Sequence, residues 1–267
     1  MKTIGKEAVP AAPSATVILT RNGENGVEVL LVRRHRATVF GSADAFPGGG
    51  LSEADSQVHD RCRGIEAGEA NRRLGLASGG LDFYSAAIRE LFEETGVLLA
   101  RRDPDGGSVD ADDASLQSRR ILLVQGGLSW SGFLREQQLA LAADELHYVS
   151  HWETPLSFRS RFSTRFFVAA APPAQHVRYD GRELVDGRWV SPARALEMGR
   201  NAELKLPFPT MKNLESLADF SSLEELRRWA GRRWQRGVEM IRGVVIECDG
   251  RRRVVLPGDP DYPGEKA

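Results

Sequence analysis

Three glutamates, Glu90, Glu93 and Glu94, fall within five positions of the segment AAIRELFEETG, residues 86–96. On a helix turning about 100° per residue, with Glu90 at zero, Glu94 lies near +40° and Glu93 near −60°. Leu91, Ile88, Thr95, Leu99 and Phe92 fall on the opposite side. The spacing predicts an amphipathic helix with its back in a core and its acidic face outward. Arg89 precedes Glu93 by four positions and is placed to pair with it. Carboxylates about 6 Å apart repel by roughly 3 kcal/mol per pair at an effective dielectric near 20. They also occupy the last turns of the helix, where the macrodipole is already negative, and Gly96 reads as the residue that ends it. A divalent cation reverses the sign of each of these terms. Oxygen ligands, with no His or Cys close by in sequence, suit Mg²⁺ or Mn²⁺ rather than Zn²⁺. The competing reading is a plain solvated acidic face.

Several elements must position such a cluster. SATVILT (14–20) and VEVLLVRR (27–34) are β-branched and apolar, and the turn between them predicts a hairpin. FPGGG (46–50) forces a loop, because proline fixes φ and glycine permits positive φ. The charged, glycine-containing stretch that follows, residues 56–81, reads as an irregular or partly helical surface insertion. Helices are expected over 116–126, 131–142, 191–199 and two segments between 208 and 237. Strands are expected over 145–155, 165–171 and 184–190, with a further strand before the proline-rich end. Strands interspersed with helices, without regular β-α-β alternation, indicate an α+β fold: a mixed sheet packed between helices. The expected organisation is a mobile segment over 1–13 and one domain over 14–262, followed by a short tail at 263–267. The domain includes a C-terminal helical extension at 204–262.

The chain has 267 residues, 41% of them hydrophobic, and a net charge of −1. That content supports a core, and that balance gives no reason to expect nucleic acid or an anionic membrane as partner. Cys62 and Cys248 lie far apart without metal-type spacing, so a reducing compartment, the cytoplasm, is the simplest expectation. No secretory signal or membrane-spanning run is read from the sequence.

FPGGG together with REL-FEETGV resembles the signature of the Nudix hydrolases: Gly, five residues, Glu, seven residues, then Arg-Glu-apolar-any-Glu-Glu-any-Gly-apolar. The second half matches without a gap from Arg89 to Val97. The first half departs twice. Counting from Gly49 places Asp55 where the family has Glu, and the arginine stands at 89 rather than 63, so 26 residues (89 − 63) are inserted inside the motif. A split motif of this kind resembles the peroxisomal coenzyme A diphosphatase branch of the family. VLLVRRHRATVFGSADAFPGG, ETP at 153–155, RFSTRFFVA at 161–169, WVSPARAL at 189–196 and LPGDPDYP look similar as well.

The resemblance implies a Nudix-type mixed sheet between helices, with the motif forming loop, helix and loop. It implies that Glu90, Glu93 and Glu94 hold Mg²⁺ or Mn²⁺, that the backbone carbonyl of Gly48 faces the metal, and that Arg89 orients a carboxylate. It also implies a further glutamate from a distant loop, and Glu183 in ELVDGRW is the candidate for ligand or base, ahead of Glu145 and Glu153. The implied reaction is hydrolysis of a small-molecule nucleoside diphosphate derivative. For coenzyme A the products are 4′-phosphopantetheine and adenosine 3′,5′-bisphosphate, with Arg33, Arg34 and Arg36 as candidate contacts for the 3′-phosphate. The alternatives are another diphosphate substrate (a nucleotide sugar, dinucleotide, NADH or capped RNA) or a silent ligand-binding module of the same fold.

Other clusters carry less. Asp105, Asp110, Asp112 and Asp113 lack the spacing of a calcium loop and read as a solvated linker. His147 and His151 are four apart, but their β-branched and aromatic neighbours indicate a strand rather than a helical metal pair. In LRRWAGRRWQR (226–236), tryptophans packing inward with solvated arginines outweigh an RNA grip.

Overall fold

The computed structural model describes residues 9–24, 26–34, 43–110, 113–179, 184–248 and 251–263. The expected hairpin is present as β1 (Ala12–Gly23) and β2 (Gly26–Arg34), paired from Thr20↔Val29 to Gly23↔Gly26. The chain then forms β3 (Asp44–Ala45) and β4 (Gly48–Gly50), followed by α1 (Glu53–Ser56), β5 (Cys62–Arg63), α2 (Ala67–Leu74) and α3 (Gly80–Thr95). Next come β6 (Ala100–Arg102), α4 (Ala114–Val124), α5 (Trp130–Glu136), β7 (Leu139–Ala142), β8 (His147–Glu153), β9 (Phe162–Ala170) and β10 (Leu184–Val190). The remainder is α6 (Pro192–Arg200), α7 (Phe208–Leu217), α8 (Leu223–Arg233), β11 (Met240–Arg242), β12 (Val244–Cys248) and β13 (Arg251–Val255).

The main sheet runs β10-β2-β1-β9-β8-β11, with β3 on β2 and β4 on β1. The β1/β9 pair is parallel and the β1/β2, β8/β9 and β10/β2 pairs are antiparallel, so the sheet is mixed. Strand β1 is central and apolar on both faces, as its run of Val17, Ile18 and Leu19 requires. Ala15, Val17 and Leu19 join Ile88, Leu91 and Phe92 of α3 in one core; Ile18 joins Ala195, Leu214 and Leu226 of α6, α7 and α8 in the other. Two cores on opposite faces give the α+β sandwich read from the sequence.

Four expectations need correction. Residues 56–81 are not a surface excursion: Val58, Cys62, Ile65, Ala70 and Leu74 are buried in the α3 core, and β5 enters a three-stranded sheet ordered β5-β7-β6. The stretch 131–142 divides into α5 and the fully buried strand β7, because Gln138 takes a positive φ of 51° and stops the helix. The linker after residue 100 begins with β6, and its Asp113 caps α4 by accepting the Ser115 N–H at 2.7 Å. Beyond residue 239 the C-terminal extension consists of strands, the hairpin β12/β13 and the short β11 beside β8. At the N-terminus, residues 1–8 lie outside the described residues, while β1 already includes Ala12 and Pro13; of the tail, only residue 263 is described.

Candidate active site

Helix α3 packs across β1 and β4 and brings its glutamates onto the glycine strand. The acidic face is therefore not outward as expected. Glu94 is 3% exposed, and its Oε2 accepts the Gly48 N–H at 2.8 Å. Gly48 has φ +151°, and a Cβ there would stand 2.4 Å from the Ala15 carbonyl oxygen. The strand thus approaches β1 as only glycine permits. A Cβ on Gly49 would stand 2.4 Å from the Glu90 carboxylate, so this glycine makes the room in which Glu90 sits. We expect Gly49→Ala to lower turnover at least tenfold by pushing Glu90 aside, with little change in melting temperature, since a flexible side chain yields. Kinetics and thermal unfolding of the variant check this.

Arg89 joins the two separated halves of the motif. Its Nε donates to Asp55 Oδ1 at 3.0 Å, and its Nη2 donates to Asp55 Oδ2 and to the Gly50 carbonyl, each at 2.9 Å. Its Nη1 donates to Glu90 Oε1 at 2.7 Å and reaches Glu93 Oε2 at 3.5 Å. Asp55 is fully buried and also accepts the Ser52 N–H at 2.8 Å and the Ser85 hydroxyl at 3.0 Å. Ser85 in turn accepts the Trp130 indole N–H at 3.0 Å. Burial opposes the charge on Arg89, but the Asp55 bond and the charges of Glu90, Asp55 and Glu93 outweigh it and raise its pKa.

The helix C-terminus is also neutralised. Arg120 of α4, 6% exposed, donates from Nε and Nη2 to the Glu93 carbonyl at 3.2 and 3.0 Å. A cation at the negative end of α3 offsets part of the dipole that opposes the carboxylates. Gly96 closes the helix with φ +74°, donating its N–H to the Phe92 carbonyl at 2.9 Å.

Burial, reinforced by the charge of Glu90 and opposed by Arg89, pushes the Glu93 carboxyl from 4.5 up to about 7. The folded state then holds a proton that the unfolded chain has released between those values. Its stabilising contribution is complete below pH 4.5 and is lost as the pH rises through about 7. In metal-free protein we expect the wild type to lose about 2 kcal/mol relative to Glu93→Gln between pH 5 and pH 8. Urea unfolding of both proteins at the two pH values tests the sign.

Among the described residues, no three His, Cys, Asp or Glu side chains converge to enclose a cation. Glu90 is drawn to Arg89 and Glu94 to the glycine strand. The donor set still suits a hard divalent ion. Glu90, Glu93 and Asp55, three carboxylates, share one guanidinium, and every side-chain donor on that face is an oxygen.

Of the other candidates, Arg33 donates from Nε to Asp44 Oδ1 at 2.9 Å, and Asp44 also accepts the Lys205 N–H at 2.9 Å. Arg36, Glu183 and the side chain of Arg34 lie outside the described residues. Glu145 pairs with Arg101 and Arg227; Glu153 pairs with Arg161 and Arg242. His151 bonds Ser163 Oγ at 2.8 Å and is pushed down to about 4, by burial first and then by Arg165. Trp234 lies beneath Arg72 and Arg73, and Trp229 packs against Phe220. Ser85, Trp130 and Arg120 carry no sequence signal as site residues; Asp55 shows in the sequence as the position where the family has Glu, and the Ser52-x-x-Asp55 spacing, a helix-start signature, lies beside it.

The NUDT19 Nudix domain family model matches residues 73–217, and the NUDIX domain model matches residues 10–122. A Gallus gallus protein named acyl-coenzyme A diphosphatase NUDT19 is 30% identical, the alignment covering 89% of this chain and 75% of that one. Its Xenopus laevis namesake is 25% identical, over 92% and 76%. Among solved structures, a NUDIX hydrolase from Alicyclobacillus acidocaldarius superposes with a TM-score of 0.70 at 26% identity, covering 82% of this chain and 96% of that one.

Proposed function

From a chain that belongs to the Nudix hydrolase family and is a pyrophosphohydrolase, we propose hydrolysis of the diphosphate bond of coenzyme A or acyl-coenzyme A. The products are 4′-phosphopantetheine, acylated or free, and adenosine 3′,5′-bisphosphate. The observation that carries this reading is the reunion of a split motif through the Asp55–Arg89 pair, in a chain whose relatives bear the acyl-coenzyme A diphosphatase name.

Nudix hydrolases use divalent metal ions, and in this reading Glu90, Glu93 and Glu94 hold Mg²⁺ or Mn²⁺, with the Gly48 carbonyl and Glu183 as further contacts. Such an ion, when bound by these residues, would supply positive charge against the diphosphate oxygens and would acidify a bound water. Arg89 steers the Glu90 carboxylate by a 2.7 Å hydrogen bond and does not itself need to meet substrate. The Gly48 N–H fixes Glu94. Glu90 and Glu183 are the candidates to take the water proton. Arg34 and Arg36 are our proposed contacts for the 3′-phosphate; Arg33 joins them only by leaving Asp44. No helix among the described residues is long and apolar enough to cross a membrane. We place the reaction in a reducing compartment, the cytoplasm, on the spacing of Cys62 and Cys248.

Incubation with Mg²⁺ and a panel of diphosphates tests the assignment. Release of phosphopantetheine from coenzyme A supports it. Cleavage of a nucleotide sugar, dinucleotide, NADH or capped RNA with coenzyme A untouched rejects it, and tight binding without product under any divalent ion indicates a regulator.

A further inference from the structure

The loop joining β8 to β9 presents Leu156 and Phe158 to solvent at 52% and 43% exposure, beside Val9 at 50%. These are half of the six large apolar side chains exposed among the described residues. They do not sit on a loose loop. Arg161, 6% exposed, ties its base together: Nε donates to the Thr154 carbonyl at 3.1 Å, Nη1 to the Val9 carbonyl at 2.5 Å and Nη2 to Glu153 Oε1 at 2.5 Å. The Thr154 N–H closes onto the Phe162 carbonyl at 2.9 Å. A buried guanidinium thus fixes the base of the loop that carries these exposed apolar side chains, and exposed apolar surface of this kind marks a contact surface.

Strand register connects this platform to the site. Gly50, whose carbonyl accepts from Arg89, pairs with Ser14; Ser14 pairs with Thr164, and Thr164 with Trp152, next to Glu153. Those are three strand steps, about 14 Å, from the carboxylate helix to the end of β8 where the loop begins. Between the diphosphate and the sulfur of coenzyme A runs a peptide-like arm with two amides, roughly 15 Å when extended. An arm leaving the diphosphate at Arg89 and Glu90 delivers whatever the sulfur carries to Leu156 and Phe158.

We infer that the β8–β9 loop is the acyl-recognition element of this enzyme, with Leu156 and Phe158 covering the alkyl chain of an acyl-coenzyme A. The inference rests on the coenzyme A reading above and adds the reason for preferring an acylated substrate. Both residues follow the end of β8, three strand steps from the Gly50 carbonyl that Arg89 holds, so they govern which substrate binds and leave bond cleavage alone.

The test compares wild type with L156S/F158S on free coenzyme A and on dodecanoyl-coenzyme A. The expected result is a loss of about tenfold in kcat/KM on the dodecanoyl substrate, less than twofold on free coenzyme A, and an unchanged melting temperature. Calorimetric titration of dodecanoyl-coenzyme A in EDTA should show the same tenfold weakening without turnover. Equal effects on both substrates, or none, overturn the inference while leaving the coenzyme A reading intact. A wild type that cleaves neither substrate but cleaves another diphosphate removes both. A wild-type dimer that the double variant converts to monomer, with unchanged acyl-chain dependence, assigns the patch to a second copy and overturns it too.

Discussion

Glu94→Gln lowers kcat by about three orders of magnitude and leaves the melting temperature within a few degrees of wild type. The amide oxygen can still accept the Gly48 N–H, which now lies 2.8 Å from Oε2, and the side-chain volume is conserved. What disappears is one negative charge on the face that α3 turns toward β4. The buried amide nitrogen costs at most about 1–2 kcal/mol if it finds no acceptor. The loss therefore belongs to kcat and to divalent-ion affinity rather than to folding. Steady-state kinetics with Mg²⁺, a magnesium titration by calorimetry and a thermal melt separate these outcomes. Activity surviving the substitution would falsify the assignment of Glu94 as a ligand.

Asp55→Asn produces the largest stability change we anticipate, a fall of about 3–5 kcal/mol in unfolding free energy. Asp55 is fully buried and carries both bonds of a bidentate guanidinium pair, together with the Ser52 N–H and the Ser85 hydroxyl. Asp55 also accepts the Ser52 hydroxyl at 3.1 Å, so neutralising it leaves Arg89 buried against fewer charges and turns an acceptor of five donors into one with a single acceptor oxygen. Turnover falls as well, because a displaced Arg89 no longer fixes Glu90. Asp55→Glu, which installs the residue usual in the family, is not expected to be neutral. The extra methylene has to enter a closed nest of Ser52, Ser85 and Arg89, and overpacking of this kind costs about 1–3 kcal/mol. Urea unfolding curves of the two variants give the ranking directly. A drop below 1 kcal/mol for Asp55→Asn would mean that the pair does not hold the loop to the helix.

Helix α3 was legible because its apolar side is periodic and Gly96 follows it; FPGGG, expected as a loop, instead carries the strand β4 paired with β1, since glycines that permit a turn also permit a close strand. The direction of the acidic face was not legible. Periodicity separates two sides of a helix; it does not reveal that the polar side meets another strand rather than water. The insertion was misread for a related reason. Val58, Cys62, Ile65, Ala70 and Leu74 are buried from a 3₁₀ turn, a two-residue strand and a two-turn helix, and no single period runs through such a mixture. Arg120 left no trace either, since its partner is a backbone carbonyl 27 positions away. Asp55 was visible as a departure from the family pattern and was underrated, because a shortened carboxylate looks conservative until its partners are known. The arginines of β2 show the converse: a cationic strand end suggests phosphate, yet Asp44 takes Arg33 into a partly buried pair.

The Asp55–Arg89 contact spans 34 positions, where the uninterrupted pattern spans 8 (34 − 26). Lengthening a chain closure by that ratio costs only about 1 kcal/mol of configurational entropy, less than the bridge returns. Closure entropy thus sets no tight limit on the spacer's length; what constrains it here is packing, since Val58, Cys62, Ile65, Ala70 and Leu74 fill the α3 core. Kinship in such chains is better sought as two short words joined by a carboxylate–guanidinium clasp than as one phrase of fixed length. By the same logic, a single proteolytic nick inside the spacer should leave two pieces that remain associated and competent.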